Sequence, residues 1–135
     1  MALEPAILIY TKAQVTSVNN RVYALKAPQG VTEPYIVFMV ISKNFVNSMP
    51  IDSGLTETRV QFDVFGTTYS SVKAVVESLK STYRNYNQGQ NLEALYMGGK
   101  EWVQATLLDN EIDFYEEDTG RYHTSLDIIF WHVEG

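Results

Sequence analysis

The stretch NEIDFYEEDTGRYHTSLDIIFWH (residues 110–132) decides the fold, because it contains a turn that sets the register of two strands. Apolar and polar residues alternate on both sides of Asp118-Thr119-Gly120, a pattern typical of a β-hairpin. A three-residue loop with Gly120 in the left-handed conformation and a G1 bulge pairs Glu117 with Arg121. Every further pair follows by counting outward, so we predict two long antiparallel strands joined at this turn.

The predicted register divides the side chains of this hairpin between two faces of a sheet. One face is apolar and is expected to pack on the core, because successive strand residues point to opposite sides. The other face is acidic. The predicted core residues are Ile112, Phe114, Leu126, Ile128 and Phe130, and the predicted acidic residues are Asp109, Glu111, Asp113 and Asp127.

Glu111 lies directly opposite Asp127 in this register, and like charges across a ladder destabilise a sheet unless something compensates them. A divalent cation, a basic partner such as Arg59 or Lys100, or solvation could do so. The segment DNEID (109–113) superficially resembles a calcium-binding loop, yet the required glycine and bidentate glutamate do not follow it. We therefore predict no metal ligands and no cofactor.

An enzymatic alternative uses the same acidic face. His123 and His132 are an odd number of residues apart on one strand and point to opposite faces, so they form no histidine pair. His123 could form a catalytic pair with Asp113, but no nucleophile motif accompanies it. The alternative is a small acidic metal-binding hydrolase that uses Glu111, Asp113, Asp127 and His123, whereas the favoured interpretation has no catalytic residue.

The remainder of the chain predicts an α+β fold. Apolar residues spaced three and four apart predict helices over 4–15 and 69–86, the second capped by Thr67 or Thr68. Branched and aromatic residues predict strands over 22–25, after Pro34 and over 59–65. We expect a largely antiparallel sheet of about four to five strands, with two helices packed on one face and a long loop between two central strands.

The long loop is predicted for residues 42–57, where Pro, Gly, Ser and Asn are frequent. A connection of this length is more often functional than idle. Its apolar residues need a surface to bury against, either on their own domain or, as an arm, on a neighbouring subunit. They are Phe45, Val46, Met49, Ile51 and Leu55.

Composition narrows the class of protein. A chain of 135 residues, of which 45% are hydrophobic, predicts one domain over 1–135 with a real core. No apolar run approaches the ~20 residues that span a bilayer, so we expect no membrane association. The net charge of −6 argues against binding to a phosphate backbone. The absence of cysteine excludes disulfides and thiolate ligands.

Several segments together resemble the tail-completion (tail-terminator) proteins of long-tailed bacteriophages, which form part of the head–tail joint. The likeness covers nearly the whole chain in order. The segments are RVYALKAPQG (21–30), Pro34 with its apolar strand, RVQFDVFGTTY (59–69) and LLDNEIDFYEEDTGRYHTSLDIIFWH (107–132). In the last segment, the pattern of the family is matched by Asp109, Tyr115-Glu116, Thr119-Gly120-x-Tyr122, Asp127 and Trp131.

The resemblance implies a structural virion protein without catalytic activity, located at the tail end of the head–tail joint and assembled in the host cytoplasm. It implies a ring, usually hexameric, that caps the tail tube and contacts the tail tube protein and the head connector protein. The loop at 42–57 then contacts the adjacent subunit or the tube, and Arg59 is a candidate for an inter-subunit ion pair. A head–tail connector component or a contractile-tail part is an alternative within the same class, and a ligand-binding α+β domain is a further one.

The resemblance also makes the acidic face a candidate channel lining, with the plainer alternative of a solvated or inter-subunit surface. Six copies of a chain with net charge −6 carry −36. A wall of the same sign as DNA repels the phosphate backbone rather than binding it, so DNA is expected to pass through without specific contacts.

Overall fold

The computed structural model describes residues 3–48, 51–84, 95–97 and 101–133. Two α-helices, one turn of 3₁₀-helix (Thr16–Val18) and six strands follow one another along these residues. The elements are α1 (Leu3–Gln14), β1 (Val22–Ala24), β2 (Tyr35–Ser48), β3 (Ile51–Gly66), α2 (Tyr69–Arg84), β4 (Leu95–Met97), β5 (Glu101–Glu116) and β6 (Arg121–Val133).

The strands form one sheet in the order β1-β2-β3-β6-β5-β4. All neighbouring pairs are antiparallel except β1 with β2, which is parallel. This arrangement confirms the predicted α+β class and the largely antiparallel sheet. The sheet has six strands rather than four to five, because it includes two strands of three residues each at its sides.

Both helices pack on the same face of the sheet, as predicted. The apolar stripe of α2 is buried against the alternating side chains Val60, Phe62 and Val64 of β3. A hydrogen bond of 2.6 Å between the hydroxyls of Thr11 and Tyr83 joins the two helices within this core. The buried stripe consists of Val72, Val75, Val76, Leu79 and Tyr83, whereas the predicted Tyr86 lies outside the described residues.

The predicted long loop is wrong, because residues 42–57 belong mostly to two paired strands. Ser42 pairs with Arg59, and Ser48 still pairs with Ile51 near the far end of this β2–β3 hairpin. Register shifts between Val40 and Ser42 and beyond Phe45 interrupt the ladder. Bulges of this kind accommodate a turn-like composition within a strand, which is why the sequence pattern favoured a loop.

The register of the β5–β6 hairpin also differs from the prediction, by one residue. The turn has four residues (117–120), so Glu116 pairs with Arg121. Gly120 has the predicted left-handed φ of 68°, and its N–H donates to the Glu116 carbonyl at 2.8 Å. The shift turns the side chains of Ile112 and Phe114 away from the helices, where they are 46% and 47% exposed.

Strand β6 keeps the predicted inward residues despite this shift. Leu126, Ile128 and Phe130 are buried because β6 also pairs with β3, and that ladder has no irregularity. A register shift between Leu108 and Asn110 places Asp109 in a bulge of β5. Beyond this bulge, toward the start of β5, the side chains change faces again. Leu108 therefore points toward the helices and packs against the core.

Candidate functional surfaces

The two faces of the sheet carry different polar clusters. On the side of the helices, Lys73 of α2 contacts Glu111 of β5 at 2.5 Å and Asp113 at 3.2 Å. Lys80, two turns further along α2, contacts the other oxygen of Glu111 at 2.9 Å. We call Lys73, Lys80, Glu111 and Asp113 the helix-side cluster. The cluster holds α2 against residues 111–113 of β5. The acidic side chains there point toward the helices because of the shifted register.

The contacts shift the pKa values of this cluster toward the charged forms. Hydrogen bonds from Lys73 and Lys80 lower the pKa of the Glu111 carboxyl. Burial alone would raise the pKa of Asp113, but hydrogen bonds from Thr124 and Lys73 outweigh it and lower the pKa overall. Burial likewise would lower the pKa of Lys73, and its hydrogen bonds to the two carboxylates raise it instead. The cluster is therefore charged at neutral pH.

On the face of the sheet that no described helix covers, which we call the helix-free face, Arg59 lies between two carboxylates of its own chain. Its Nη1 is 2.5 Å from Asp109 and 3.3 Å from Asp127. These contacts form an intrachain ion pair across three neighbouring strands, and the inter-subunit pair of Arg59 stays a prediction. They also fix the bulge, because Asp109 is its extra residue.

The predicted acidic face does not exist as one surface. Asp109 and Asp127 lie on the helix-free face, and Glu111 and Asp113 lie on the face covered by α2. The one-residue shift causes this division, because it moves every side chain between the turn and the bulge to the other face. Glu111 and Asp127 are not opposed, since Glu111 pairs with Leu126.

The division separates the residues of the hydrolase alternative. His123 and Asp127 lie on the helix-free face, and the other two lie under α2. Among residues 3–48, 51–84, 95–97 and 101–133 there is no group of three His, Cys, Asp or Glu side chains placed to hold a metal ion. A groove of about 600 Å³ between α1 and α2, lined by Tyr10, Gln14 and Glu77 among others, contains none of these four residues.

Asp63 forms the centre of a second cluster on the helix-free face. It accepts hydrogen bonds from Ser125 at 2.6 Å, from His123 at 3.1 Å and from Gln61 at 3.0 Å. Burial alone would raise the pKa of Asp63, but these hydrogen bonds lower it below its ordinary value.

A serine, a histidine and an aspartate lie together here without the geometry of a catalytic triad. In a triad the histidine stands between the other two and passes the serine proton. Here Ser125 donates directly to Asp63, and Nε2 of His123 contacts the same carboxylate oxygen. Ser125 Oγ also lies 3.4 Å from Nε2 of His123, so the three side chains hold one another in place with the carboxylate at the centre.

An aromatic row crosses four strands beside Asp63. Ring centroids lie 5.1 Å apart for Tyr35 and Phe65, 4.3 Å for Phe65 and His123, and 5.3 Å for His123 and Phe114. The first two pairs are stacked, with interplanar angles of 21° and 19°. Side-chain pairs across strands are the unit that stabilises a sheet. The row therefore holds the turn end of the sheet in register on the face that no described helix covers.

Four of the five predicted contact residues belong to strands β2 and β3. Phe45 is exposed, with 57% of its surface accessible. Met49 lies outside the described residues, and so do the side chains of Val46, Ile51 and Leu55. His132 lies on the helix side, opposite in direction to His123 as predicted, and forms a buried 2.7 Å hydrogen bond with Thr58.

Neither the lysines of the helix-side cluster nor the role of Asp63 was predicted from the sequence. One signal was available, because Lys73 and Lys80 are seven residues apart and therefore lie on one side of a helix. The grouping of Asp63 with Ser125 left no signal, since the two residues are far apart in sequence. In the described part of the chain, no helix is long and apolar enough to cross a bilayer.

Comparison with known proteins gives a match at the level of the fold. No protein-family model matches the chain, and neither does any curated protein sequence. A chain of the solved structure described as "Virion of native gene transfer agent (GTA) particle" superposes with a TM-score of 0.69 at 10% sequence identity. The superposition covers 98% of this chain and 95% of that one. The two chains share a fold.

Proposed function

We propose that this chain is a structural subunit of a phage-like virion, and that it caps the tail tube as a ring at the head–tail joint. The observation that carries the proposal is the similarity of fold to a chain of a gene transfer agent virion, over nearly the full length of both. The resemblance of residues 21–30, 59–69 and 107–132 to tail-completion proteins supports the same role from the sequence alone.

The surface of the chain supports an assembly role. Phe45, Leu107, Ile112 and Phe114 are about half exposed. Three of these side chains lie on one strand, β5, and a group of exposed apolar side chains is characteristic of a surface that binds another protein. The partners in this proposal are further copies of the chain, the tail tube protein and the head connector protein.

The helix-free face is the one that we assign to the channel. Helices α1 and α2 cover the other face and no described helix covers this one, which supports its assignment as the face that presents strands to passing DNA. Asp109 and Asp127 lie there, but Arg59 neutralises part of their charge. The repulsion of DNA therefore comes from the net charge of the ring rather than from a row of unpaired carboxylates.

The hydrolase alternative gains no support from the geometry. Its four residues lie on two faces, and the serine beside His123 donates to a carboxylate instead of to the histidine. The proposed role requires no catalytic step and no cofactor.

Light scattering of the purified protein, with and without tail tubes that lack their cap, tests the proposal. We expect a ring in solution or stoichiometric binding to the tube ends. The proposed location of the protein is the host cytoplasm during assembly and the finished virion afterwards. Tubes that already carry a cap are the matched control and are expected to bind none. A strict monomer that ignores uncapped ends would contradict the proposed function.

A further inference from the structure

The sheet has two long edges that no described strand pairs. Strand β4 covers only Glu101 to Val103 of β5, and within the described residues the outer edge of β5 is unpaired from 104 to 116. Strand β1 covers only Ile36 to Phe38 of β2, and the edge from 39 to 48 is likewise unpaired by the strands described. Such edges present N–H and C=O groups that can accept another strand.

The β5 edge has few of the devices that keep strands from pairing with other molecules. Proteins usually protect an exposed edge with lysine, proline or a bulge. Residues 104–116 contain neither lysine nor proline. A bulge at Asp109 interrupts the strand and a second register shift lies between Val103 and Ala105, but regular segments run from 105 to 108 and from 110 to 116. As far as the described residues show, this edge is therefore open to pairing over most of its length, whereas the β2 edge (39–48) carries Lys43 and two register shifts.

Exposed apolar side chains lie on both edge strands. Leu107, Ile112 and Phe114 are on the helix-free face of β5, and Leu107 is 54% exposed. Strand β2 carries Ile41, which is 45% exposed, and Phe45. Phe45 pairs with Thr56 and therefore lies on the helix side of β2. Pairing the two edges would reduce the exposure of apolar side chains on both faces of the joint.

The two sides of the sheet carry opposite charge. The β5–β6 segment (101–133) contains eight carboxylates and one arginine, a net charge of −7. It keeps −4 after its partners Arg59, Lys73 and Lys80 are included. The β1–β2 segment (21–48) contains three basic residues and one glutamate, a net charge of +2. Opposite charges favour contact between unlike sides and disfavour contact between two β5 edges.

We propose that the outer edge of β5 (104–116) pairs with the outer edge of β2 (39–48) of a second copy of this chain, so that the sheet continues from subunit to subunit. The contact is heterologous, since one copy uses β5 and its neighbour uses β2. Repetition of a heterologous contact generates a ring when the rotation closes. The inference rests on the proposed ring and names the surfaces that build it.

Because the chain contains no cysteine, each introduced cysteine is the only thiol available for cross-linking. Single cysteines are placed at Met39, Ile41 or Phe45 on β2 and at Leu107, Ile112 or Phe114 on β5. Each β2 variant is mixed with each β5 variant, assembled alone or on uncapped tube ends, and treated with a short thiol cross-linker. We expect covalent dimers from some of the mixtures and none from any single variant by itself. Ile9→Cys on α1, a site 43% exposed, is the matched control that should cross-link to neither.

A second measurement tests the joint without cysteine. Ile112→Lys and Phe114→Lys would each place a charge in the joint, and we expect self-association to weaken by about tenfold or more. Ile9→Lys introduces the same charge at a similarly exposed site and should leave association unchanged. Urea midpoints of the three variants report whether the fold is intact.

The outcomes separate this inference from the proposed function. The edge joint is overturned if rings bind tube ends yet give no β2–β5 cross-link, or if single variants cross-link to themselves. Either result leaves the proposed capping function standing. Specific β2–β5 cross-links without binding to tube ends support the joint and contradict the cap. A protein that stays monomeric in solution and on tubes overturns both.

Discussion

Lys73 Nζ of α2 lies 2.5 Å from Glu111 Oε2 of β5, which places this carboxylate on the same side of the sheet as the helices. The contact links two elements that are not neighbours in sequence. It also explains how an acidic residue can share a face with the buried Leu126, its cross-strand partner. The positive charges of Lys73 and Lys80 offset the free-energy cost of placing carboxylates at this border of the core.

Lys73→Met is expected to destabilise the fold by about 1 kcal/mol. The substitution keeps the aliphatic stem and removes contacts to Glu111 and Asp113 at a partly buried position. The free energy of unfolding in urea measures the effect. Lys12→Met on α1 is the control and should cost less. Equal losses for the two variants would contradict a stabilising role for the cluster.

Glu111→Gln is expected to change how stability depends on pH. The folded-state pKa of Glu111 is lowered, so its contribution is fully present above its ordinary pKa of 4.5 and is lost as pH falls through the lowered value. The pKa of Lys73 is raised from 10.5, so its part is lost only as pH rises above that value. The difference in unfolding free energy between wild type and variant should be largest between these limits and shrink toward acid. A difference that is constant from neutral pH to pH 2 would refute this assignment.

Asp63→Asn is expected to destabilise the fold by about 1–3 kcal/mol. The amide presents N–H groups to a site where Ser125, His123 and Gln61 all donate to the native carboxylate. The lowered pKa of Asp63 also predicts a pH dependence of stability. The contribution of the Asp63 carboxylate to the free energy of unfolding is lost as pH falls below 3.8 through the folded-state pKa. Thermal unfolding between neutral and acid pH measures both effects. Asp118→Asn in the exposed turn is the control, and a comparable loss there would argue against the cluster.

Gly66→Ala is expected to cost about 1–3 kcal/mol through overpacking. A Cβ at this position would lie 2.7 Å from Val72 Cγ2 and 3.1 Å from Ser71 Oγ, where β3 leads into α2. In the background Val72→Ala, which removes the closer atom, the same substitution should cost less. Urea unfolding of the two single variants and the double variant measures this coupling, and strictly additive losses would show that the clash is not the cause.

The parts of the fold that follow local rules could be predicted from the sequence. The stripe of α2 shows a 3.6-residue period, and Thr68 caps this helix through a hydrogen bond from the Ser71 N–H at 3.2 Å. The alternation of Val60, Phe62 and Val64 likewise fixed which face of β3 is buried. Each of these signals lies within one element, so no knowledge of a neighbour was needed.

The register of β5 could not be predicted, because two features outside its own pattern determine it. A turn of four residues instead of three shifts the pairing by one, and the bulge at Asp109 shifts it by one more in the same direction, which restores the facing of the side chains and pairs Leu108 with Ile128. Between them, the usual rule that apolar residues face inward fails for Ile112 and Phe114. Lys73, on a distant helix, stabilises the acidic residues that take the inward positions, and Arg59 anchors the bulge.

The β3–β6 ladder pairs Leu55 with Val133 and continues without a break to Gly66 with Tyr122, through twelve residue pairs. A force applied along the strands must shear many of these hydrogen bonds at once, whereas a force across the sheet would unzip them one after another. The domain is therefore mechanically anisotropic, strongest along the axis of its two central strands. Single-molecule pulling in the two directions would measure the ratio, and equal rupture forces would exclude this anisotropy.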